Sequence, residues 1–190
     1  MKRGSTPDEQ DNNDIHRTLA GDNAAFARLV IKYQDRIFHF ILKHIRNRAI
    51  AEELTQEAFL DAYKALSTFA GRSRFSTWLM GIALNRSRNY VNRAPEMVYG
   101  HVDHETHPQN PSSTPTWSDI DTADFEAILR KGLTTLPNEL REVFLLISIE
   151  GLSYQEAADI IDAPIGTVKN RMFRARTQLK DLFLQENFLP

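Results

Sequence analysis

The chain has 190 residues, 42% hydrophobic and 25% charged, with a formal net charge of -2 and no cysteine. That composition belongs to an ordinary globular protein of one or two small domains, and it excludes a disordered tail, a disulfide scaffold, a thiolate metal site and a cysteine redox switch within the chain. No run approaches the roughly 20 apolar residues of a membrane span and the polar start has no apolar core of signal-peptide type, so a cytoplasmic protein without direct membrane contact is expected.

With so little net charge, nucleic-acid binding requires charge segregated along the chain, and it is segregated. Residues 49–61 hold Glu52, Glu53, Glu57 and Asp61 with no base, whereas residues 62–95 hold Lys64, Arg72, Arg74, Arg86, Arg88 and Arg93 with no acid. Two opposed partners are implied, one cationic and one anionic.

The periodicity predicts an all-α chain of two small helical domains. Residues 1–13 have nothing to bury and read as a frayed arm. A helical bundle follows over residues 14–94. Asp14 is placed to cap a short helix ending at Gly21, and Asp22 to cap a longer one carrying Phe26, Leu29, Val30, Tyr33, Ile37, Phe40, Ile41 and Ile45 at helical spacing. A third helix over residues 50–66 turns Leu54, Ala58, Phe59, Ala62 and Leu66 inward and Glu53, Gln56, Glu57, Asp61 and Lys64 outward. Those carboxylates suit a docking face for a basic helical partner better than an acid/base or metal cluster, because no His or Cys stands near them.

Residues 69–76 form a basic, Gly-containing loop and residues 75–93 a fourth helix. The mixture of Phe69, Arg72, Arg74, Phe75, Thr77, Asn85, Arg86, Arg88 and Asn89 suits single-stranded nucleic acid, where bases stack on rings, amides read base edges and arginines follow phosphates. Trp78 is assigned to the core, Phe75 stands open between core and stacking platform, and Asn85 and Asn89, one turn apart, are the readers. Residues 95–121 then bring Pro95, Pro108, Pro111 and Pro115 among Ser, Thr and Asn, which marks a linker. Within it His101, His104 and His107 have a spacing that suits zinc or nickel but lack a rigid supporting shell, so no metal is expected there.

The second domain spans residues 122–190, with helices expected over 123–133 and 138–149, the latter between Pro137 and Gly151. Residues 152–180 read as a helix-turn-helix. Ser153 and Glu156 form a capping box, Asp162 to Pro164 break the first helix, and Asp162 stands where Gly is usual, entering the left-handed region at modest cost. In the second helix Ile165, Val168, Met172, Ala175, Leu179 and Leu182 gather on one arc. Asn170, Phe173, Arg174 and Thr177 fall opposite, flanked by Lys169, Arg171 and Arg176, with the tail from Phe183 ending the helix. No acid lies between Asp162 and Asp181, so this face matches a phosphate-lined groove. Ser153, Tyr154 and Thr167 complete the candidate duplex contacts.

In order, QEAFLDAYKAL, FAGRSRFSTWLMGIALNRSRNY, a Pro-rich linker, LPNELREVFLL and GLSYQEAADIIDAPIGTVKNRMFRAR resemble the extracytoplasmic-function (ECF) sigma factors of bacterial RNA polymerase, over about Asp14 to Leu182. The resemblance implies sigma regions 2 and 4 only, the first melting and reading the minus-ten element and the second reading minus-thirty-five. It implies that the helix matching Glu53 to Leu66 docks on the clamp helices of the largest catalytic subunit. It implies likewise that the helices matching Pro137 to Ile149 and beyond hold the flap of the other large subunit. Carried over by position, the resemblance makes Phe69 to Thr77 the minus-ten loop, puts Asn85 and Asn89 in the places that face the extruded base, and puts Lys169, Phe173 and Arg174 in those that face the minus-thirty-five duplex. The family often has an acid near Ser73, where this chain has Arg72 and Arg74. Core RNA polymerase, promoter DNA and an anti-sigma factor, membrane-anchored and touching both domains, are the implied partners, in a stress or envelope and metal response. A stand-alone helix-turn-helix regulator with an effector-binding or dimerising bundle is the competing reading, and a metal enzyme built on the His triplet a third. No catalytic residue and no cofactor is expected: no nucleophile with a base, no Gly-rich phosphate loop and no metal-protease motif occurs.

Overall fold

A computed structural model of the chain describes residues 7–93 and 122–185. Among the described residues all regular structure is helical, and the chain divides into two compact units, the first built on the helices up to residue 93. The expected linker, 95–121, lies outside the described residues, as does the His triplet.

In the first unit α1 spans Pro7–Leu19, α2 Asn23–Ile45, α3 Arg48–Ala65 and α4 Phe75–Arg93, with a 3-10 turn at Leu66–Thr68. The frayed arm is corrected here, because helix begins at Pro7 rather than at Asp14. Proline suits a first turn that needs no N–H donor, and Asp8 and Glu9 in that turn oppose His16 and Arg17 in the last, as the helix dipole favours. What holds α1 down is a carboxylate the sequence makes look solvated. Asp11 is only 3% exposed and accepts from Lys32 Nζ and Tyr33 Oη, both at 2.5 Å. Asp14 is no cap either; it sits mid-helix and its carboxylate takes Arg28 Nη2 at 2.5 Å.

Asp22 does cap α2, accepting from the Ala25 N–H at 3.3 Å. Gly21 at φ 100 makes the preceding turn possible. Asn47 caps α3 through the Ile50 N–H at 3.1 Å. The helical stripe read from the sequence forms the core: Leu29, Ile37, Phe40 and Ile41 of α2 are buried, as are Leu54, Ala58 and Ala62 of α3 and Leu79 and Ala83 of α4. Full burial of each large side chain contributes about 1.5–3 kcal/mol.

In the second unit α5 spans Thr122–Thr135, α6 Asn138–Phe144, α7 Tyr154–Ile161 and α8 Ile165–Gln185. The helix expected to run to Ile149 does so only as a π-helical turn, Leu145–Ile149, closed by the Glu150 N–H on the Leu145 carbonyl at 2.9 Å. Gly151 follows at φ 70. Two features here hold α5 in place. Gly132 lets α8 approach, since a Cβ there would stand 2.5 Å from Leu179 Cδ2. Arg141, 2% exposed, donates to the Leu133 carbonyl at 2.6 Å and the Leu136 carbonyl at 2.8 Å, satisfying groups that the end of α5 leaves open.

Candidate nucleic-acid interface

The helix-turn-helix is built as its sequence implies. Glu156 Oε2 accepts from the Ser153 N–H at 2.9 Å and the Ser153 hydroxyl at 2.8 Å, while Ser153 Oγ accepts from the Glu156 N–H at 3.2 Å. That reciprocal cap starts α7. The same bonds occupy the Ser153 hydroxyl, which was expected to meet DNA. Asp162 closes α7 in the left-handed region at φ 52, and the Ala163 N–H returns to the Ala158 carbonyl at 3.1 Å. This six-to-one bond with a left-handed residue after the last helical turn is the Schellman arrangement, made here without glycine.

On α8, Val168, Met172, Ala175 and Leu179 are buried as expected. Two ends of that stripe are corrected: Ile165 is exposed, and the helix runs past Phe183, which is buried. The reason is geometric, because Phe183 continues the step of four from Ala175 and Leu179, whereas Ile165 lies in the first turn, at the open end. Lys169, Asn170, Arg174, Arg176 and Thr177 are exposed, and Phe173, at 72%, is the most exposed large apolar side chain among the described residues. An aromatic ring left in water on a cationic helix face has shape and chemistry for a thymine methyl or a sugar edge. Arg171 is a correction: it is half-buried and pairs with Glu139 of α6 at 2.9 Å, a contact within the unit. Tyr154 and Thr167 are half-buried at the starts of α7 and α8.

In the first unit the loop leading into α4 is organised by rings. Phe69, Phe75 and Trp78 lie with centroids 5.2–5.9 Å apart, and Tyr33 reaches Phe75 at 5.8 Å. Phe75, which the sequence leaves open, is buried, whereas Trp78, assigned to the core, is only half-buried. Phe75, Leu79 and Ala83 follow one another at steps of four on the inward arc, and Trp78 sits one position off it. Thr77 is also buried, so neither Phe75 nor Thr77 is presented to a strand. The buried arc of α4 is wide enough to take in Thr77 and Ser87, and Ser87 meets its need by donating to the Ala83 carbonyl at 3.0 Å. Arg72, Arg74, Asn85 and Asn89 are exposed, and Phe69 and Arg88 half-buried. Arg74 Nε lies 3.4 Å from the Asp8 carboxylate of α1.

On α3 the carboxylates expected to face a partner have an internal one. Glu53, Gln56 and Lys64 are exposed along α3, but Glu57 and Asp61 are not waiting for a distant cation. Arg86 of α4 donates through Nε to Asp61 and through Nη1 to Glu57 Oε2 at 3.1 Å. The guanidinium bond holds the Asp61 carboxyl below the usual carboxylate range, and the same bond raises Arg86. Residues assigned to opposed partners therefore pair with each other. Beside them, missed from sequence, an open apolar groove of about 420 Å³ runs between α2 and α3, lined by Phe26, Val30, Phe59, Leu60 and Tyr63. Exposed Leu60, off the inward arc of α3, was the available signal. Among the described residues no group of three or more His, Asp or Glu side chains is arranged to hold a metal ion, and no helix is long and apolar enough to cross a membrane.

The two units coincide with known families. Residues 29–95 match the family model of Sigma-70 region 2 and residues 126–179 that of Sigma-70, region 4. The chain is 36% identical over 176 residues to the RNA polymerase sigma-H factor of Pseudomonas aeruginosa, covering 88% of this chain and 91% of that one. It is 34% identical over 173 residues to the ECF RNA polymerase sigma-E factor of Escherichia coli K12, covering 85% and 88%. Among solved structures, CnrH in complex with the cytosolic domain of CnrY aligns with a TM-score of 0.68 at 23% identity, over 92% of this chain and 97% of that one. The sigma factor RpoE in complex with the anti-sigma factor NepR from Bartonella quintana aligns at 0.62 with 26% identity, over 83% and 96%. The chain belongs to the extracytoplasmic-function sigma factors of bacterial RNA polymerase.

Proposed function

We propose that this sigma factor divides promoter recognition between its two units, as residues 7–94 and 122–190, joined by residues 95–121. The observation that carries the duplex-reading half is the face of α8 left open by the fold: Lys169, Asn170, Phe173, Arg174 and Arg176, all exposed, stand on a helix started by a tight, capped turn. Phosphate contacts set register, and Arg174 and Asn170 reach base edges in the minus-thirty-five major groove. In the other unit, Asn85 and Asn89 hold an extruded minus-ten base while Arg72, Arg74 and Arg88 follow the single strand. Core polymerase docks on α3 through Glu53, Gln56 and Lys64 with Glu57 and Asp61 beside them, the apolar groove extending the face. No catalytic step is assigned to this chain, which supplies recognition to the polymerase.

Run-off transcription with purified core polymerase on promoters selected from a random library tests the reading; specific initiation dependent on this chain supports it, and its absence rejects it. The sigma factor solved with NepR supports a matching inhibitor here. We assign that role to the cytoplasmic domain of a membrane-anchored protein that touches both units, so that each contact gains effective concentration from the other. Cleavage near Pro111 is then expected to weaken inhibitor binding by orders of magnitude, read by titrating intact and cleaved chain against the partner recovered from unstressed cells. Equal affinity for both forms rejects a two-unit inhibitor.

A further inference from the structure

One arginine stands between the surface assigned to polymerase and the surface assigned to DNA. Arg86 leaves α4 beside Asn85 and about 60° around the helix from Asn89, yet its guanidinium is forked onto Asp61 and Glu57 of α3. Its side chain keeps 34% of its exposure, Asp61 keeps 30% and Glu57 40%, so the group is accessible to a partner. In the free chain the guanidinium charge is matched by the carboxylates it is forked onto, so Arg86 offers a phosphate strand little net attraction. Lys64, which also acts on Asp61 through charge, is exposed and does not close the fork.

We propose that Arg86 is a strand-binding residue held in check by Asp61 and Glu57, and that docking of a cationic polymerase surface on α3 frees it for the single-stranded minus-ten segment. The inference rests on the sigma-factor reading of the two faces. A carboxylate whose oxygens are taken by Arg86 serves an incoming cation poorly, and the reverse holds once that cation has displaced the guanidinium. Polymerase docking and strand binding therefore compete with one internal bridge, and relieving it from either side favours the other. Such coupling is reciprocal by linkage. It makes the free chain a weak strand binder and the assembled holoenzyme a stronger one, without a large rearrangement of either helix.

The test is a double-mutant cycle on the full chain: wild type, Asp61→Asn, Arg86→Gln and both together, titrated against a labelled oligothymidylate by fluorescence anisotropy. Asp61→Asn is expected to tighten binding about two- to fivefold, the range of an exposed ion pair, and to steepen the log–log salt dependence by about 0.7. Both gains vanish in the Arg86→Gln background. Glu53→Gln, which removes the same charge away from Arg86, measures the gain from charge alone. With core polymerase bound, Asp61→Asn adds nothing further, because docking has already opened the fork. An equal gain from Asp61→Asn with and without Arg86, or no gain beyond Glu53→Gln, overturns the bridge as a check on Arg86. A gain that survives polymerase binding overturns release by docking. Melting curves confirm folding, and Arg86→Met, which keeps the aliphatic stem without the charge, replaces Arg86→Gln if the latter unfolds. The sigma-factor reading fails separately, in run-off transcription; the free-chain cycle needs no polymerase, and only the release by docking is read with it.

Discussion

The cationic faces of the two units look alike in sequence and are used differently by the fold. On α8, Lys169, Asn170, Phe173, Arg174 and Arg176 remain exposed, while Arg171 is taken by Glu139. In the first unit, Arg86 is bound by Asp61 and Glu57, and Arg74 lies beside Asp8. The difference follows from geometry. α8 presents one polar arc with acids excluded from its first sixteen residues, whereas α4 packs on α3, whose outward carboxylates lie within reach of its own outward arginine. Separation of charge along a chain is thus not separation in space when the two blocks become neighbouring antagonistic helix faces.

This contrast can be broken at several points. The largest effect is expected from alanine at both Asn85 and Asn89: an extruded base must regain edge contacts to offset about a few kcal/mol of lost stacking, so the double variant should bind core polymerase and fail to open promoter DNA, read by permanganate reactivity. Normal opening would remove the base pocket from α4. Next is Arg141→Leu. It strands the carbonyls of Leu133 and Leu136, and a loss of about 3 kcal/mol in the second unit is expected, measured by urea denaturation. A change under about 0.5 kcal/mol would mean that water replaces the guanidinium. Arg174→Ala comes third, with about 1–3 kcal/mol of discrimination lost at one or two base pairs. Uniform weakening across promoter variants would make Arg174 a phosphate contact and leave α8 without a reader at that position.

The smallest effect is the pH dependence of the bridge itself. Because Asp61 titrates lower in the folded chain than in the unfolded one, its contribution is fully present above the unfolded value near pH 4 and is lost as pH falls through the folded value. The difference in melting temperature between wild type and Asp61→Asn should therefore be flat from pH 7 to about pH 5 and shrink below about pH 4. A difference that grows on acidification would show that Asp61 is not stabilised by Arg86.

Much of the fold was legible because its signals are local. Asp22 and the Ser153–Glu156 pair cap helices through groups two or three residues away, Asp162 takes the left-handed turn on its own short side chain, and the inward stripe of α2 depends only on helical period. The start of α1 was illegible for the opposite reason: Asp11 is buried by Lys32 and Tyr33, partners 21 and 22 residues on, and nothing adjacent to it announces them. Arg141 is similar, since a lone arginine in a helix looks solvated until the end of α5 is laid against it.

The sequence by itself determined the helical class, the helix-turn-helix and its open cationic arc, and the family, because each rests on spacing within one segment or on matched motifs. Only the tertiary structure decided which polar residues are available. Thr77 is buried, Phe75 is buried in preference to Trp78, the Ser153 hydroxyl is occupied by its cap, and Arg86 binds the carboxylates of α3. Availability depends on what a neighbouring helix brings within hydrogen-bond distance, about 3 Å, and that distance is set by packing between segments far apart in the chain.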